Sequence, residues 1–440
     1  MEKRKGNAIQ TALVIGGGIA GMQASLDIAD KGFPVILVER EPTIGGHMAQ
    51  LDKTFPTLDC SSCILTPKMV EVGNHSNIEL LTYSEVVDIR GEVGDFHVTI
   101  RKKPRYVDVK KCNACNLCAE ACVQRERIPN EFDMGIGKRS AAYIPFPQAV
   151  PQKYLIDPNH CLMVTRGKCG KEPKCQKACG ANAIDFTQQE ETITVRVGAI
   201  VVATGYDQFD PELKPEFGYG RYENVLSGIE FERLCSASGP TQGKIQINGK
   251  EPKRVVFVQC VGSRDKAVGN EYCSRVCCMY TAKQAHLVRE RIPDAKITVC
   301  YMDIRAFGKG YEEFYERVQR ENIHYRRGNP SEIYKRGPSL VIRGEDTLLG
   351  EPYEEEADLV VLATGLVPRK DVGDIGKLLG LSQTPDGFFQ EARTEETIAT
   401  SRAGIFLAGC CQGPKDIPDT VAQASGAASL ACVQLAKGRS

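Results

Sequence analysis

Short apolar runs that end in glycine-containing turns recur along this 440-residue chain. The first run covers residues 11–15 and is followed by a glycine-rich turn and a helical pattern over residues 22–30. Two others, at residues 199–202 and 359–362, each lead into an Ala-Thr-Gly turn. Apolar runs of strand length that alternate with helical patterns are typical of parallel sheets covered by helices. The pattern therefore predicts an α/β fold.

Length and charge narrow the class of protein further. At about 100–200 residues per domain, a chain of 440 residues predicts two to four domains. Lys plus Arg and Asp plus Glu number 56 each, so no broad basic field favours a nucleic acid as partner. The longest apolar runs fall far short of the ~20 residues that cross a bilayer, and the charged residues 1–5 carry no signal peptide. We expect a cytoplasmic protein that meets a membrane only through a partner protein.

The first glycine-rich turn has the spacing of a dinucleotide-binding motif. Gly16, Gly18 and Gly21 form Gly-x-Gly-x-x-Gly between a predicted strand and a predicted helix. Small residues there let the backbone approach a pyrophosphate, and the start of the helix supplies N–H donors. Glu39, followed by Arg40, stands 18 residues after the last glycine, where a carboxylate binds ribose hydroxyls. These residues predict a bound dinucleotide.

Further turns and a C-terminal helix extend this pattern. Gly409 precedes a small-residue helix predicted over residues 421–435. Together with the first motif, the turns resemble those of the flavoprotein disulfide reductases of the thioredoxin reductase type, which have two dinucleotide-binding domains. The resemblance implies that the dinucleotide is FAD, and it implies further contacts from Ala203, Thr204, Gly205, Gly409, Gln423 and Gly426. Cys410 stands where that family has an aspartate for the ribityl chain.

Nineteen cysteines indicate metal chemistry, because a cytosolic compartment keeps thiols reduced and a disulfide framework is not expected there. One run has the C-x2-C-x2-C-x3-C spacing of bacterial ferredoxins, in which three cysteines hold one [4Fe–4S] cluster and the fourth crosses to a second. Its members are Cys112, Cys115, Cys118 and Cys122. A looser return run consists of Cys161, Cys169, Cys175 and Cys179.

Crossed ligation divides these eight cysteines into two sets of four. The first set is Cys112, Cys115, Cys118 and Cys179, and the second is Cys122, Cys161, Cys169 and Cys175. The stretch is therefore expected to be an inserted α+β domain of the bacterial 2[4Fe–4S] ferredoxin type. A zinc ribbon is the alternative, although it would use pairs of cysteines rather than triplets. Three isolated thiols are predicted to be buried structural residues: Cys235, Cys300 and Cys432.

A third group of cysteines replaces an expected nucleotide loop. In the thioredoxin reductase pattern, a second glycine motif for NADPH should follow the apolar strand at residues 254–260, but Cys260, Cys273, Cys277 and Cys278 stand there instead. Four thiols suit a third [4Fe–4S] cluster, with zinc as the alternative and with either vicinal cysteine a possible non-ligand. Lys283 follows about one and a half helical turns later. It is either a catalytic cation that faces the flavin or a lysine on a solvated surface.

The whole constellation resembles the A-type flavoproteins of heterodisulfide reductase. The resemblance rests on the ferredoxin insert, the four-cysteine replacement and a segment that starts at Gly45, Gly46 and His47 and continues through Cys60-Ser-Ser-Cys63. It implies that the first three of these residues contact FAD. It also implies an assembly with B- and C-type cluster subunits and with a second A-like or hydrogenase-linked flavoprotein or iron–sulfur subunit. Relative to the longer members, this chain is expected to lack a cluster domain at each end.

Two cysteine pairs keep open interpretations. Cys60 and Cys63 are a redox dithiol near the flavin, half of a cluster site completed from elsewhere, or residues retained without a metal. Cys410 and Cys411 are the candidates for completing such a site.

The resemblances divide the chain into interleaved domains. An FAD-binding domain is expected at residues 1–104, 187–250 and 367–440. The ferredoxin-like insertion occupies residues 105–186, and residues 251–366 form a former pyridine-nucleotide domain that carries a cluster.

The predicted function is electron transfer by an oxidoreductase subunit with one FAD and three [4Fe–4S] clusters, relaying, bifurcating or confurcating electrons within a heterodisulfide reductase-like complex. A stand-alone NAD(P)H-dependent disulfide reductase is the alternative, which the missing nucleotide loop disfavours. A zinc-binding scaffold is a third hypothesis.

Overall fold

The computed structural model describes residues 9–437, so the charged segment 1–5 lies outside the described residues. The helices are α1 Ile19–Ala29, α2 Ser61–Asn74, α3 Leu117–Glu120, α4 Leu162–Arg166, α5 Lys174–Ala178, α6 Gly228–Cys235, α7 Cys277–Arg291, α8 Tyr311–Gln319, α9 Val372–Leu379 and α10 Ile417–Ala436. The strands are β1 Ala12–Ile15, β2 Val35–Glu39, β3 Ile78–Thr82, β4 Ser84–Glu92, β5 Asp95–Lys102, β6 Ile128–Pro129, β7 Lys138–Arg139, β8 Ala142–Tyr143, β9 Leu155–Ile156, β10 Glu191–Val197, β11 Ala199–Val202, β12 Asp207–Gln208, β13 Val225–Ser227, β14 Arg254–Val261, β15 Lys296–Tyr301, β16 His324–Arg327, β17 Glu332–Arg336, β18 Ser339–Asp346, β19 Glu351–Ala357, β20 Leu359–Thr364, β21 Leu366–Val367 and β22 Ile405–Leu407.

The first domain is built on a parallel five-stranded sheet with the order β22-β11-β1-β2-β3. Successive side chains of a strand point to opposite faces of its sheet. Ala12 and Val14 accordingly join a core formed with α1, α2 and α10, whereas Leu13 joins a second core formed with β5 and α9. Both faces of the sheet are buried, which explains why its strands read as continuous apolar runs.

A second parallel sheet, with the order β13-β20-β14-β15-β16, forms the other domain. Val255 and Phe257 face a core made with α6, α7 and α8, while Val256 and Val258 face the antiparallel sheet β17-β18-β19. Two parallel sheets and an insertion confirm the predicted fold class. Because β13 pairs with β20 in this second sheet, we propose that the domain boundary lies before β13 rather than at residue 250.

The insertion leaves the first domain after β5 and returns at β10, two strands that pair with each other. A bridge between Val107 and Ile184 closes its base. Its secondary structure consists of the short helices α3 to α5, a single 3-10 turn at Glu131–Asp133 and the two-stranded ribbons β6-β7 and β8-β9. Its core is made largely of cysteines and small apolar residues. A segment with so little regular structure needs disulfide or metal crosslinks for its stability.

A buried ion pair connects the insertion with the second domain. Arg233 on α6 is 1% exposed, and its Nε donates to Asp133 Oδ1 of the insertion at 2.9 Å. The Arg233 guanidinium also lies over the Phe132 ring and donates to the Gln50 carbonyl of the first domain. One side chain thus contacts all three parts of the chain.

Replacement of Arg233 by Met should lower the free energy of unfolding by about 3–5 kcal/mol, because Asp133 would remain buried without its partner. The measurement is the apparent melting temperature of the reconstituted chain. Arg320→Met is the matched control, since Arg320 pairs with Glu316 on an exposed helix face and such pairs contribute at most about 1 kcal/mol. Equal losses in the two variants would contradict the structural role of Arg233.

Candidate functional site

A cavity of about 1200 Å³ lies where the carboxyl ends of β1, β2 and β11 face α7 and the insertion. Ligands of open parallel sheets bind at these strand ends. The predicted cofactor residues that line it are Gly16, Gly18, Glu39, Arg40, Gly46, His47, Ala203, Thr204, Gly205 and Cys410. Those that do not line it are Gly21, Gly45, Gly409, Gln423 and Gly426. The cavity exceeds a typical drug-sized pocket and has room for an extended dinucleotide.

Glycine is required at each position of the first turn for a different physical reason. Gly16 has φ +106°, and a Cβ there would stand 2.3 Å from the Ala203 carbonyl oxygen. A Cβ on Gly21 would stand 1.8 Å from the Gly16 oxygen, so this glycine permits the strand and helix to pack. A Cβ on Gly18 would meet no protein atom within 4 Å. Gly18 therefore faces open cavity, as a backbone that receives a pyrophosphate should.

Glu39 ends β2 at the wall of the cavity. Its Oε2 accepts a hydrogen bond from the Gly17 N–H at 2.5 Å, and its Oε1 accepts one from the Glu41 N–H at 2.8 Å. Burial raises the pKa of Glu39 from 4.5 to about 7, and these two N–H donors only partly offset the rise. The carboxylate is thus positioned to accept hydroxyl donors, which would favour its charged form. The neighbouring Arg40 is held by Asp371 at 2.9 Å.

The residues farther along the C-terminal helix support the cavity from behind. Gln423 accepts a hydrogen bond from the Gly409 N–H at 2.8 Å, and an added Cβ on Gly426 would press on Ile398. Thr420, one helical turn before Gln423, lines the cavity instead. The helix begins at Ile417, four residues earlier than predicted, because the Asp416 side chain caps it by accepting from the Asp419 N–H.

His47 is fixed at the wall of the cavity beside Tyr206. Its Nδ1 lies 2.7 Å from Gln50 Oε1 and its Nε2 lies 3.1 Å from the Tyr206 carbonyl oxygen. The His47 and Tyr206 rings also contact each other at 4.6 Å between centroids. These contacts define one orientation of the imidazole.

Lys283 is buried, so its interpretation as a surface lysine is wrong. The side chain is 1% exposed, lines the cavity and forms an ion pair of 2.6 Å with Glu232 Oε1. Its Nζ also donates to the Lys53 carbonyl oxygen at 2.9 Å. Sequence reasoning missed Glu232, which accepts further hydrogen bonds from the Asp52 N–H and from Gln284. No local pattern marks it, because its partners are distant in sequence.

The structure brings together the cysteines of the second set. Cys122, Cys161, Cys169 and Cys175 line one small cavity in the insertion. Burial and the proximity of Cys122 and Cys161 raise the pKa of Cys175 to about 12. Four crowded thiols are costly to ionise without a compensating positive charge, and iron supplies such charge. The donor set and the shared cavity therefore fit a cluster.

Cys112 and Cys118 of the first set lie in the same core of the insertion, whereas Cys115 is exposed. Burial and the nearby Cys112, Cys175 and Cys115 raise the pKa of Cys118 to about 12. Cys179 packs against this core, and its Sγ accepts a hydrogen bond from the Ala183 N–H at 3.3 Å. The assignment of Cys179 to this set stays a prediction.

The third set gathers where β14 meets α7. Cys260 has φ +60° beside an irregularity in the β14–β20 pairing, and such irregularities redirect side chains. Burial raises the pKa of Cys260 to about 12, and the proximity of Cys278 and Cys273 adds to the rise. Burial also raises the pKa of Cys277, and the proximity of Cys260, Cys278 and Cys273 adds to that rise.

Helix α7 joins this cysteine set to the cavity. Cys277 and Cys278 are its first residues, while Val276, Tyr280 and Lys283 line the cavity. Within residues 9–437, no three His, Cys, Asp or Glu side chains are arranged around a single metal ion. A four-iron cluster gives each thiolate its own iron, so its ligands stand farther apart than those of a single ion.

Two further cysteine pairs differ in arrangement. Cys60 and Cys63 form a disulfide at the start of α2. Cys410 lies with Val276 and Leu366 at the cavity, whereas the adjacent Cys411 lies in the core behind the first sheet. The two sulfurs of the second pair therefore occupy different environments.

The isolated thiols also differ in burial. Cys235 and Cys300 are buried as predicted, and Cys432 is half-buried. No helix among the described residues is both long and apolar enough to cross a membrane.

Comparison with family models identifies the frame. The model of pyridine nucleotide-disulphide oxidoreductases matches residues 167–428, and that of an FAD-binding domain matches residues 11–50. The chain belongs to the pyridine nucleotide-disulphide oxidoreductase family. Solved structures agree on the fold. Thioredoxin reductase from T. acidophilum has a TM-score of 0.53 at 15% identity, covering 98% of this chain and 99% of that one.

Curated relatives confirm the resemblance to the A-type flavoproteins of heterodisulfide reductase. The A-type iron-sulfur protein of CoB–CoM heterodisulfide reductase from Methanocaldococcus jannaschii is 53% identical over 98% of this chain and 65% of its own length. The A-type protein of the H2:CoB-CoM heterodisulfide,ferredoxin reductase from Methanothermobacter marburgensis is 51% identical over 100% of this chain and 66% of its own. The chain thus spans slightly less than two thirds of the length of these relatives.

The raised pKa of Glu39 makes FAD binding pH-dependent. If ribose hydroxyls donate to its carboxylate, binding releases a proton from a group that titrates at about 7 in the empty site. Affinity of the FAD-free chain should therefore rise with pH up to about 7, by at most about tenfold per unit, and then level off. Fluorescence titration of FAD from pH 5.5 to 8.5 measures this.

Two variants control that experiment. Glu39→Gln should flatten the pH dependence. Gly18→Ala should weaken FAD binding at every pH, since its methyl group would project into the part of the cavity where the pyrophosphate is expected. A pH profile of wild type that matches that of Glu39→Gln would show that Glu39 does not bind the ribose.

Proposed function

We propose that the chain is an electron-transfer subunit that passes electrons between FAD in the large cavity and three [4Fe–4S] clusters. The observation that carries the proposal is helix α7, which begins with two cysteines of the third set and carries Lys283 into the cavity about one and a half turns later. When bound, FAD exchanges one or two electrons and each cluster exchanges one. The same helix would therefore supply residues to both a cluster site and the flavin site.

The proposed ligand sets are those of the sequence analysis. Cys112, Cys115, Cys118 and Cys179 would hold one cluster in the insertion, and Cys122, Cys161, Cys169 and Cys175 the other. Cys260, Cys273, Cys277 and Cys278 would hold the third. The shared cavity of the second set and the mutual proximity of the third support this division. The insertion, at residues 105–186, would form a ferredoxin-like domain.

The residues around the third set disfavour a nicotinamide site. Gly262 follows β14 where the nucleotide loop of the family would begin, and Arg264 stands where a second glycine would let the backbone approach a pyrophosphate. The Arg264 side chain is paired with Asp303 instead. This observation supports an electron-transfer role over that of a stand-alone NAD(P)H-dependent reductase.

The partners are inferred from the relatives. Their names describe components of heterodisulfide reductases, some of which use ferredoxin or F420H2. By analogy, this chain would act in a cytoplasmic complex of that type, with B- and C-type cluster subunits. Its electron donor and acceptor would bind the partner subunits or the insertion.

Iron analysis tests the proposal. The chain reconstituted without air should hold about twelve irons and one FAD, and Cys273→Ser should remove about four irons while FAD stays bound. Cys235→Ser is the matched control, because this thiol is buried but stands apart from the three sets. Eight or fewer irons in the wild-type chain would eliminate one site, and zinc in place of iron would contradict the proposal.

The Lys283–Glu232 pair should set the flavin potential. A cation beside the ring stabilises the electrons it accepts, so Lys283→Met should lower the potential by tens of mV, a rough magnitude for screened charges a few ångströms apart. Glu232→Gln should raise it, since the cation would lose its counter-charge. Anaerobic titration at constant iron content measures both. Shifts of the same sign, or none, would exclude this electrostatic role.

A further inference from the structure

A segment of the insertion, which we call the basic loop, concentrates positive charge beside the second cysteine set. It covers residues 166–177 and contains Arg166, Lys168, Lys171, Lys174 and Lys177 against one acidic residue, Glu172. The chain as a whole has equal numbers of basic and acidic residues. The concentration is therefore local and is not a property of the overall composition.

The basic loop is exposed and largely unpaired. All five of its basic side chains are exposed, and within the described residues only Lys177 has an ion pair, at 2.7 Å to Glu172. The other four make no side-chain hydrogen bond or ion pair within residues 9–437. Arginine and lysine side chains that the fold leaves unneutralised attract negative charge from solution. The loop thus presents a positive surface that its own domain does not use.

The same loop covers the second cysteine set. Cys169 lies within it and is half-buried, whereas Cys161 and Cys175 are buried. Lys174 lines the small cavity together with the four cysteines. The positive surface therefore coincides with a partly accessible thiol of the set.

We propose that the basic loop is the docking surface for a small acidic iron–sulfur protein that exchanges electrons with the cluster of the second set. The inference rests on the proposed function, because it needs a cluster at these cysteines. One electron passes between the reduced cluster and the oxidised partner, in either direction, and no bond forms or breaks. An anionic membrane or a nucleic acid would also match the charge, but neither would use a redox centre directly beneath the contact.

Electrostatic docking accelerates association and is screened by salt. Complementary charge raises association rates by 10- to 1000-fold at low ionic strength, and the effect fades as the Debye length falls. The basic loop should therefore control the rate of electron exchange with an acidic partner, without affecting exchange with a small uncharged molecule.

The experiment uses the full chain, reconstituted with FAD and iron–sulfur clusters and reduced with dithionite. Stopped-flow spectroscopy follows its oxidation by an acidic 2[4Fe–4S] ferredoxin and, separately, by an uncharged quinone, at low and high salt. The test variant is Lys168→Glu/Lys171→Glu/Lys174→Glu. The control is Lys244→Glu/Lys250→Glu/Lys335→Glu, which makes the same change in net charge at exposed lysines outside the insertion.

At low salt, the test variant should react with ferredoxin about 10- to 100-fold more slowly than wild type, and high salt should remove the difference. The control should stay close to wild type, and the quinone rate should be the same in all three proteins. Substitution of the three lysines by arginine should preserve the ferredoxin rate.

Equal slowing in test and control variants, or none in either, would overturn the docking surface while iron content and quinone oxidation stay intact. Binding of wild type to phosphatidylserine vesicles, lost in the test variant with an unchanged ferredoxin rate, would assign the loop to a membrane and overturn the inference as well. A deficit of four irons in Cys169→Ser should accompany the docking result. If that deficit is absent, the proposed cluster fails, and the inference fails with it.

Discussion

The beginning of α7 buries two adjacent cysteines that share their surroundings with two more, and this concentration of thiols constrains the rest of the second domain. Thiolates in a buried site repel one another and are costly to desolvate, so they need positive charge within the group. In the proposed cluster, iron would provide that charge and would use all four donors. The irregular pairing of β14 at Cys260 has its reason here, because it turns the cysteine away from the regular direction of a strand side chain.

The same helix transmits this arrangement to the cavity. Lys283 reaches the cavity wall, where Glu232 and the Lys53 carbonyl oxygen fix its ammonium group. Arg233, the next residue on α6, anchors the insertion through Asp133. Two neighbouring residues of α6, Glu232 and Arg233, therefore fix the positions of Lys283 and of the insertion. An electron carrier benefits from such rigidity, because fixed groups need not reorganise when charge moves.

Local patterns in the sequence predict the buried parallel strands, but they do not predict helix caps or the pairing of the antiparallel strands. β11 begins and ends as predicted, since continuous apolar runs are typical of buried parallel strands. The predicted start of α10 is wrong, because the apolar pattern gives no sign of the cap at Asp416. The antiparallel sheets β4-β5-β10 and β17-β18-β19 are not predicted. The sequence of a single amphipathic strand does not show which other strands pair with it.

The candidate site shows the same division. The glycine motif and the cysteine spacings can be read directly, because backbone approach and cluster ligation each demand a residue type at a fixed separation. The burial of Lys283 cannot, since it depends on Glu232, which lies 51 residues away and on another helix. Charge pairs between distant elements arise from tertiary packing, and a single sequence contains no signal for them.

The most direct test of the central claim is a crystal structure of the anaerobically reconstituted chain with anomalous scattering recorded at the iron edge. The account predicts three separate four-iron sites, one of them bounded by Cys260, Cys273, Cys277 and Cys278, with FAD in the neighbouring cavity against Lys283. Absence of iron between these four cysteines, a single ion in its place, or FAD outside the cavity would contradict it.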